Sequence, residues 1–516
     1  MQIVIVDNSL IYFEGIAPNV ENLLLKNFSV KHPRARFLDN SVWDGWYKKY
    51  NRSSQTMSKA FLKEACEVLD QAGVPYDILD ARDKPKIVPN ESLVVPDLLP
   101  GITLEDYQIE ALKAMCRNEI GIISSTTGSG KTEAMAGITK ILDTNTVIFA
   151  DIRIVIEQIK ERLELRDVDD GDIGLFYAGQ RPNGNKVVVG SIQSLYTPSK
   201  PSPEKYKNKD GVYDQEKYEK ALSVYKTRLK GAKEFQKIVS EAELLLVDEC
   251  DKASSDAYKD LFFKHFRGRY RYGFSGTPHD HKKPVEWLFL RERLGSIIYH
   301  IDRSSVEKTG RIIPIKPVML AFGEDGDKTD KTAYDIAEKD YVINNEKFHD
   351  FVVSVVQSFE KEKTLIIVDT HEIASLGAAL EAKIPNSKFI YGVTSKNQRN
   401  SAIKSFESGE LRCLIGGKII KRGLDLKGGA DNVIFIGGGT KWSNIDQIVG
   451  RAVRKNARGW CRVFGFYIMC NHYLYSHSRE QLKAIIDMGY DPIVVFSNGP
   501  ISGRQLVKSR FKKKTT

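Results

Sequence analysis

Between Gly121 and Gly137 the chain reads GIISSTTGSGKTEAMAG: a short apolar strand, a loop, then an alanine-rich helix. Gly128 and Gly130, with Thr127 and Ser129 beside them, leave backbone N–H groups free to curl around phosphate oxygens, and the helix N-terminus adds the positive end of its dipole. Lys131 has the reach for the outer phosphates, and the Thr132 hydroxyl is placed to ligate Mg²⁺. This is P-loop form, with Ser125 where the first glycine usually stands. A Gly/Ser-rich turn that happens to carry a lysine would explain the loop taken alone. The strand before it, the helix after it and the GKT register argue instead for a bound nucleoside triphosphate.

Such a loop needs an acid on a neighbouring strand. ELLLVDECDKASSDAY supplies one, a buried-strand run ending in Asp248-Glu249-Cys250-Asp251. Asp248 would hold Mg²⁺ through water, and Glu249 would orient and deprotonate the attacking water. An acidic strand-to-loop turn is common in α/β proteins, but its pairing with the P-loop favours catalysis.

With these two elements the chain resembles superfamily 2 helicases and translocases, and further strings fall in that family's order. LEDYQIEAL is similar to the adenine-reading Q element, with the Gln108 amide pairing with the adenine edge beside Tyr107. VIFADIRIVIEQIKERL stands in the place of the first DNA-contacting motif; it keeps a strand, a helix and Gln158 but lacks the usual Pro-Thr. VVVGSIQSL resembles the next strand-end motif, offering Ser191 and Gln193 to backbone phosphates. YGFSGTP gives Ser275-Gly276-Thr277, similar to the family's coupler between the ATP site and the nucleic-acid groove.

The second half carries the complement. TLIIVDTHEIASLGAAL reads as strand then helix, with Thr370 a candidate DNA contact. The next stretch ends in Arg422-Gly423-Leu424-Asp425, with Arg422 toward DNA and Gly423 and Asp425 toward nucleotide. NIDQIVGRAVRK holds Gln447, Gly450, Arg451 and Arg454, the QxxGRxxR pattern. The resemblance implies that the Arg451 and Arg454 guanidiniums reach the γ-phosphate, as arginine fingers do, with Gln447 a further catalytic candidate. A basic surface helix would explain the pattern standing alone.

The expected fold class is α/β: two tandem RecA-like doubly wound parallel-sheet lobes with a small N-terminal α+β domain. The expected boundaries are 1–95 for an N-terminal DNA-binding domain and 96–310 for the ATP-binding lobe, with a basic insertion at about 197–240. Residues 311–498 form the second lobe, with strands near Leu365, Phe389, Cys413, Val433 and Val463, and 499–516 a basic tail. The insertion holds eleven Lys/Arg against six Asp/Glu over residues 200–237, with tyrosines interleaved. It reads either as a solvated helical hairpin or as an arm that reaches duplex DNA.

Ahead of the motor, IVIVDNSLIYFEG reads as a strand pair and SSQTMSKAFLKEACEVLDQAG as an amphipathic helix. Between them lies FSVKHPRARFLDNSVWDGWYKKYNR. Arg34, Arg36, Lys48, Lys49 and Arg52 offer a phosphate track, and Trp43, Trp46 and Tyr47 offer stacking faces, although the tryptophans could equally fill a small core. This segment is similar to the N-terminal domain of the UvsW-type branch-migration helicases of tailed phages. That resemblance implies an ATP- and Mg²⁺-dependent DNA helicase acting on branched, forked or single-stranded DNA in replication and recombination; the sequence is compatible with a monomer and does not set the oligomeric state. The expected location is cytoplasmic, the bacterial host's cytoplasm for a phage-encoded chain.

Bulk properties agree. The 516 residues exceed a single ordinary core, and a net charge of +10 suits a polyanionic partner. No apolar run is long enough to cross a bilayer, and MQIVIVDNSLIYFEG, with its acids and without a basic leader, reads as a strand. Six cysteines without a CxxC pair argue for reduced thiols and against structural zinc. Asp369 with Glu381 and Lys383 has a loose nuclease spacing, but ASLGAALEAK is helical, and the chemistry needs a strand there. Two other functions compete: an RNA helicase of the DEAD-box kind, whose last motif normally begins His-Arg rather than with a Gln447 counterpart, and a nonhydrolysing nucleic-acid-binding scaffold, which the intact Lys131, Asp248, Glu249 and arginine set disfavour.

Overall fold

The computed structural model describes the chain apart from residues 34, 36–42, 127, 208–212, 280–282, 371, 418–425, 427–428, 438–455, 457 and 512–516. Two compact units result: Met1–Ser125 with Ser129–Asp302, and Thr126–Gly128 with Arg303–Thr516.

The alternation in QIVI and LIYFE buries Ile3, Ile5, Ile11 and Phe13 on one face, so β1 (Gln2–Ile5) and β2 (Leu10–Glu14) pair antiparallel. Helix α1 (Pro18–Asn27) follows, with proline in its first turn, where a missing N–H costs nothing. The strands β3 (Ser29–Lys31) and β4 (Trp46–Lys48) form a separate ribbon. After β5 (Thr56–Ser58), α2 (Leu62–Gln71) and β6 (Asp77–Asp80), the small sheet closes in the order β5-β2-β1-β6.

The large sheet of the same unit is wholly parallel. Its elements are α3 (Asp106–Arg117), β7 (Ile120–Ser125), α4 (Lys131–Leu142), β8 (Thr146–Phe149), α5 (Arg153–Leu165), β9 (Ile173–Phe176) and β10 (Val187–Gly190). Then come α6 (Gln215–Glu241), β11 (Leu244–Asp248), α7 (Asp256–Asp260), β12 (Tyr270–Ser275), α8 (Pro284–Leu294) and β13 (Ile297–Ile301). The order is β13-β7-β12-β11-β8-β10-β9. Strands covered on both faces read as unbroken apolar runs, which is why LLLV is continuous where the N-terminal strands alternate.

Helix α8 serves both sheets. Leu288 is buried in the core of the N-terminal sheet, Tyr47 meets Phe289 edge-on at 5.1 Å, and Lys49 pairs with Glu292 at 2.6 Å while its ammonium lies 4.0 Å from the Phe289 ring centroid. Arg291 pairs with Glu64 of α2. A second seam centres on Glu119, just before β7, which accepts from Lys59, from Arg82 at 2.9 Å and from Arg269 at 3.1 Å. The first 95 residues are therefore built into the lobe that follows them.

The second unit comprises α9 (Arg303–Lys308), β14 (Ile315–Phe322), α10 (Tyr334–Glu338), α11 (Glu346–Gln357), β15 (Thr364–Asp369), α12 (Ile373–Lys383), β16 (Ser387–Ile390) and α13 (Lys396–Ser408). It continues with β17 (Cys413–Gly416), β18 (Asn432–Gly437), β19 (Cys461–Ile468), α14 (His472–Asp487), β20 (Ile493–Phe496), β21 (Gly499–Ser502) and α15 (Gly503–Phe511). The sheet order is β16-β17-β15-β18-β19-β14-β20-β21, parallel except for the last pair. The fold is thus two RecA-like parallel lobes with a smaller N-terminal mixed sheet.

Two sequence expectations change. Residues 499–511 are not tail: β21 pairs with β20, and Leu506 and Val507 of α15 pack on the second core. The basic ending KSRFKKKTT hid that apolar pair. The insertion is not a hairpin but one 27-residue helix, α6, entered through a short turn at Pro203–Tyr206. Asp214 caps α6 by accepting from Lys217 N–H at 3.0 Å.

Candidate nucleotide and nucleic-acid site

The register sets the site. β12 lies between β7 and β11, with Ser275 opposite Ser124 and Phe274 opposite Asp248. The P-loop, the acid pair and Ser275-Gly276-Thr277 therefore all leave the C-terminal edge of a parallel sheet, where open α/β folds bind ligands. Gly128 and Gly130 have φ of 88° and 86°, values that favour glycine. At Gly130 a Cβ would come within 2.1 Å of Gln108 Nε2. Gly130 is also the N-cap of α4, and no side chain caps that helix, so its leading N–H groups face the loop.

Gln108 is buried. Its Oε1 accepts from Glu105 N–H at 3.0 Å and its Nε2 donates to Ser129 O at 2.9 Å. The amide thus ties the Q element to the P-loop backbone, with one hydrogen and one lone pair left over. Tyr107 beside it is buried.

Lys131 Nζ stands 3.1 Å from Glu249 Oε1. Glu249 itself sits at φ 47°, ψ 54°, a left-handed conformation that costs a non-glycine residue roughly 1–2 kcal/mol and recurs at functional sites. Behind it, Asp251 accepts from Ser275 Oγ at 3.2 Å; burial first, and the neighbouring Glu249 second, push its carboxyl above the ordinary range. Buried Arg293 donates to the carbonyls of Ala253 and Ser255, fixing the turn after the acid pair.

These residues fit a magnesium triphosphate. Two left-handed glycines, an uncapped helix N-terminus, a lysine, the Thr132 hydroxyl and the Asp248 carboxylate are the donor set such a group needs. At the base of the loop Ser125 Oγ is buried with no hydrogen-bond partner among the described residues.

Two family models match: "Type III restriction enzyme, res subunit" over residues 101–280 and "Helicase conserved C-terminal domain" over residues 346–456. A curated relative, "DNA 3'-5' translocase XPB2" of Sulfurisphaera tokodaii, is 25% identical over 412 residues, covering 71% of this chain and 82% of its own. The chain is a superfamily 2 helicase. It is an ATP-dependent enzyme that binds nucleic acid. Among solved structures, UvsW of phage T4 aligns at a TM-score of 0.44 with 14% identity, covering 96% of the helicase and 98% of UvsW. A DEAD box protein from Methanococcus jannaschii aligns at 0.39 with 15% identity, covering 77% and 93%.

The helicase's expected DNA contacts are unevenly placed. Gln193 is exposed in the turn after β10, whereas Ser191 is buried and bonded to Ser194 Oγ at 2.9 Å. Gln158 is exposed on α5. Thr370 follows β15, its Oγ1 buried without a partner among the described residues. Trp43 and Trp46 are 37% and 41% exposed and so do not fill a core; Lys48 pairs with Asp44. Arg34, Arg36, Thr127, Arg422, Gly423, Asp425, Gln447, Gly450, Arg451 and Arg454 lie outside the described residues. Glu381 and Lys383 are on α12, where Glu381 pairs with Lys388 at 3.0 Å and Lys383 with Asp350 at 2.8 Å. Among the described residues no helix is long and apolar enough to cross a membrane.

Sequence reasoning missed two parts of the helicase site. Glu133, one residue past Thr132, is buried and paired with Arg162 at 3.1 Å and with Arg166, whose Nη1 donates to Pro100 O at 2.9 Å. This links the P-loop helix to the chain leading into the Q element. An acid on an otherwise apolar stretch of α4 was the available signal. The second part is Asp151, at the end of β8, which accepts from Tyr258 OH at 2.8 Å and pairs with Lys252. Its signal was an acid where the family's Pro-Thr is missing.

Proposed function

We propose that this helicase is an ATP-driven DNA translocase that remodels branched DNA, unwinding and annealing at forks and four-way junctions, in the manner of the UvsW-type enzymes. In this reading Thr132 and Asp248 hold Mg²⁺, which supplies charge neutralisation at the phosphates. Lys131 grips the outer phosphates and Glu249 takes the proton of the attacking water. Gln108 and Tyr107 flank the adenine, and Gln447, Arg451 and Arg454 keep their proposed role toward the γ-phosphate. The curated relative's name, a DNA translocase, favours DNA over RNA and suggests 3′ to 5′ polarity.

One observation carries the branched-DNA reading. The ribbon that presents the half-exposed Trp43 and Trp46 is fixed to the motor lobe through Tyr47, Lys49 and α8. A stacking face that moves as one body with an ATPase lobe is suited to parting or guiding strands at a junction. Such a role fits a monomer working in a bacterial cytoplasm on replication or recombination intermediates.

The test is unwinding and ATPase stimulation with matched forks, regressed forks, four-way junctions, linear duplex and RNA at one salt concentration, since electrostatic binding varies steeply with ionic strength. Junctions and forks should be the best substrates. RNA as the best stimulant, or equal activity on linear duplex, would overturn the reading.

A further inference from the structure

Helix α6 contains 27 residues, about 40 Å at 1.5 Å per residue, and its buried residues begin only at Gly231. Phe235 and Val239 anchor its end in the core of the lobe, with Phe235 stacked on Phe176 at 4.2 Å. The preceding stretch, roughly 24 Å long, carries no buried residue. Against it the segment around Pro198–Tyr206 forms a groove of about 470 Å³.

The groove's helical wall is one face of α6: Lys217, Lys220, Val224, Tyr225 and Arg228, at the i, i+3, i+7, i+8 and i+11 spacing. Its lining includes no acidic residue. Lys217 pairs with Asp214 at 2.7 Å. Among the described residues Lys220 and Arg228 have no carboxylate partner, so two cations stand unneutralised beside Tyr206 and Tyr225. From Lys217 to Arg228 the wall runs about 16 Å, close to the axial rise of four or five phosphates along one strand.

We infer that this groove is a second DNA-binding site, in the insertion between the Ser191–Gln193 motif and the Asp248-Glu249 strand, that takes the sugar-phosphate backbone of the DNA on which the motor works. The inference rests on the proposed DNA-remodelling function. Cations without partners gain by displacing the counterions condensed on a phosphate backbone, and the tyrosines supply faces and hydroxyls to sugars and phosphates. Tyrosine faces set beside cations that lack a carboxylate partner among the described residues favour nucleic acid over an acidic peptide, which would need only the charge.

The experiment compares the full-length chain with Lys220→Ala/Arg228→Ala and with Lys226→Ala/Lys233→Ala, a charge-matched pair of exposed lysines outside the groove lining. Fork and linear-duplex affinities are measured by fluorescence anisotropy from 50 to 200 mM salt. The groove pair should lower the slope of log K against log salt by about two and weaken binding by on the order of tenfold, the off-groove pair by much less. Equal loss from both pairs, or no change from the groove pair, overturns the inference, as would lost binding of polyglutamate with DNA binding intact. A groove-specific loss on fork and linear duplex alike would support this site even if branched DNA proved not to be the preferred substrate.

Discussion

Lys252 Nζ stands 2.7 Å from Asp151 Oδ2, which ties the turn after Asp248-Glu249 to the loop that follows β8. Tyr258 holds the other carboxylate oxygen at 2.8 Å. A carboxylate bonded through both oxygens is expected to couple the two loops. Asp151→Asn is expected to cut the ratio of DNA-stimulated to basal ATPase by on the order of tenfold, since the uncharged amide loses the lysine. Basal and stimulated rates falling in parallel would show that the contact serves catalysis or folding alone.

At the nucleotide site the two partners of the 3.1 Å pair should separate kinetically. Glu249→Gln removes the base while leaving the phosphate cradle, so kcat should fall at least about a hundredfold with ATP affinity retained. Lys131→Ala should abolish hydrolysis and weaken ATP binding while most DNA affinity remains. Equal loss of ATP and DNA affinity from Lys131→Ala would contradict the assignment.

The Gln108 amide spans Glu105 and Ser129 inside the protein. Gln108→Ala is therefore expected to raise the ATP KM by loosening the P-loop as well as by losing an adenine contact. A matched rise for GTP would show that bracing the loop is its main role; a rise confined to ATP would show that base reading is.

Glu119 is the one carboxylate that Lys59, Arg82 and Arg269 share. Removing it leaves partly buried cations facing each other, and Glu119→Gln should cost about 2–3 kcal/mol in denaturant unfolding. A loss below about 0.5 kcal/mol would mean that the seam is held by apolar packing alone.

Lys59 also sets a pH dependence. Burial, outweighing Glu119, pulls its ammonium from the ordinary 10.5 down to about 8. Between those values the unfolded chain binds a proton that the folded chain has released, so this residue's contribution to stability rises with pH across that window. The wild-type unfolding midpoint, measured relative to Lys59→Met, should climb from pH 8 toward 10. A flat difference would show that Lys59 keeps its proton.

The motor was legible because parallel strands buried on both faces read as apolar runs ending in their functional loops, as LLLVDE and TLIIVD do. Long-range charge pairing was not. Glu119, Glu133 and Asp151 gain meaning only from partners dozens of residues away, at Arg269, Arg162 and Lys252. Nor did composition separate the end of the chain, where Leu506 and Val507 earn their place by packing rather than by periodicity. The tryptophans went the other way, since aromatic content alone does not say which ring faces water.

Leu288 sits on a motor helix yet lies in the core beneath the N-terminal sheet. A cut at residue 95 would therefore strip an apolar face and strand Glu292 and Arg291 without their mates. The unit that recombination could exchange between related motors is accordingly discontinuous, the leading segment together with α8. A chimera that grafts the first without the second should misfold, and natural shuffling of this module should carry both pieces.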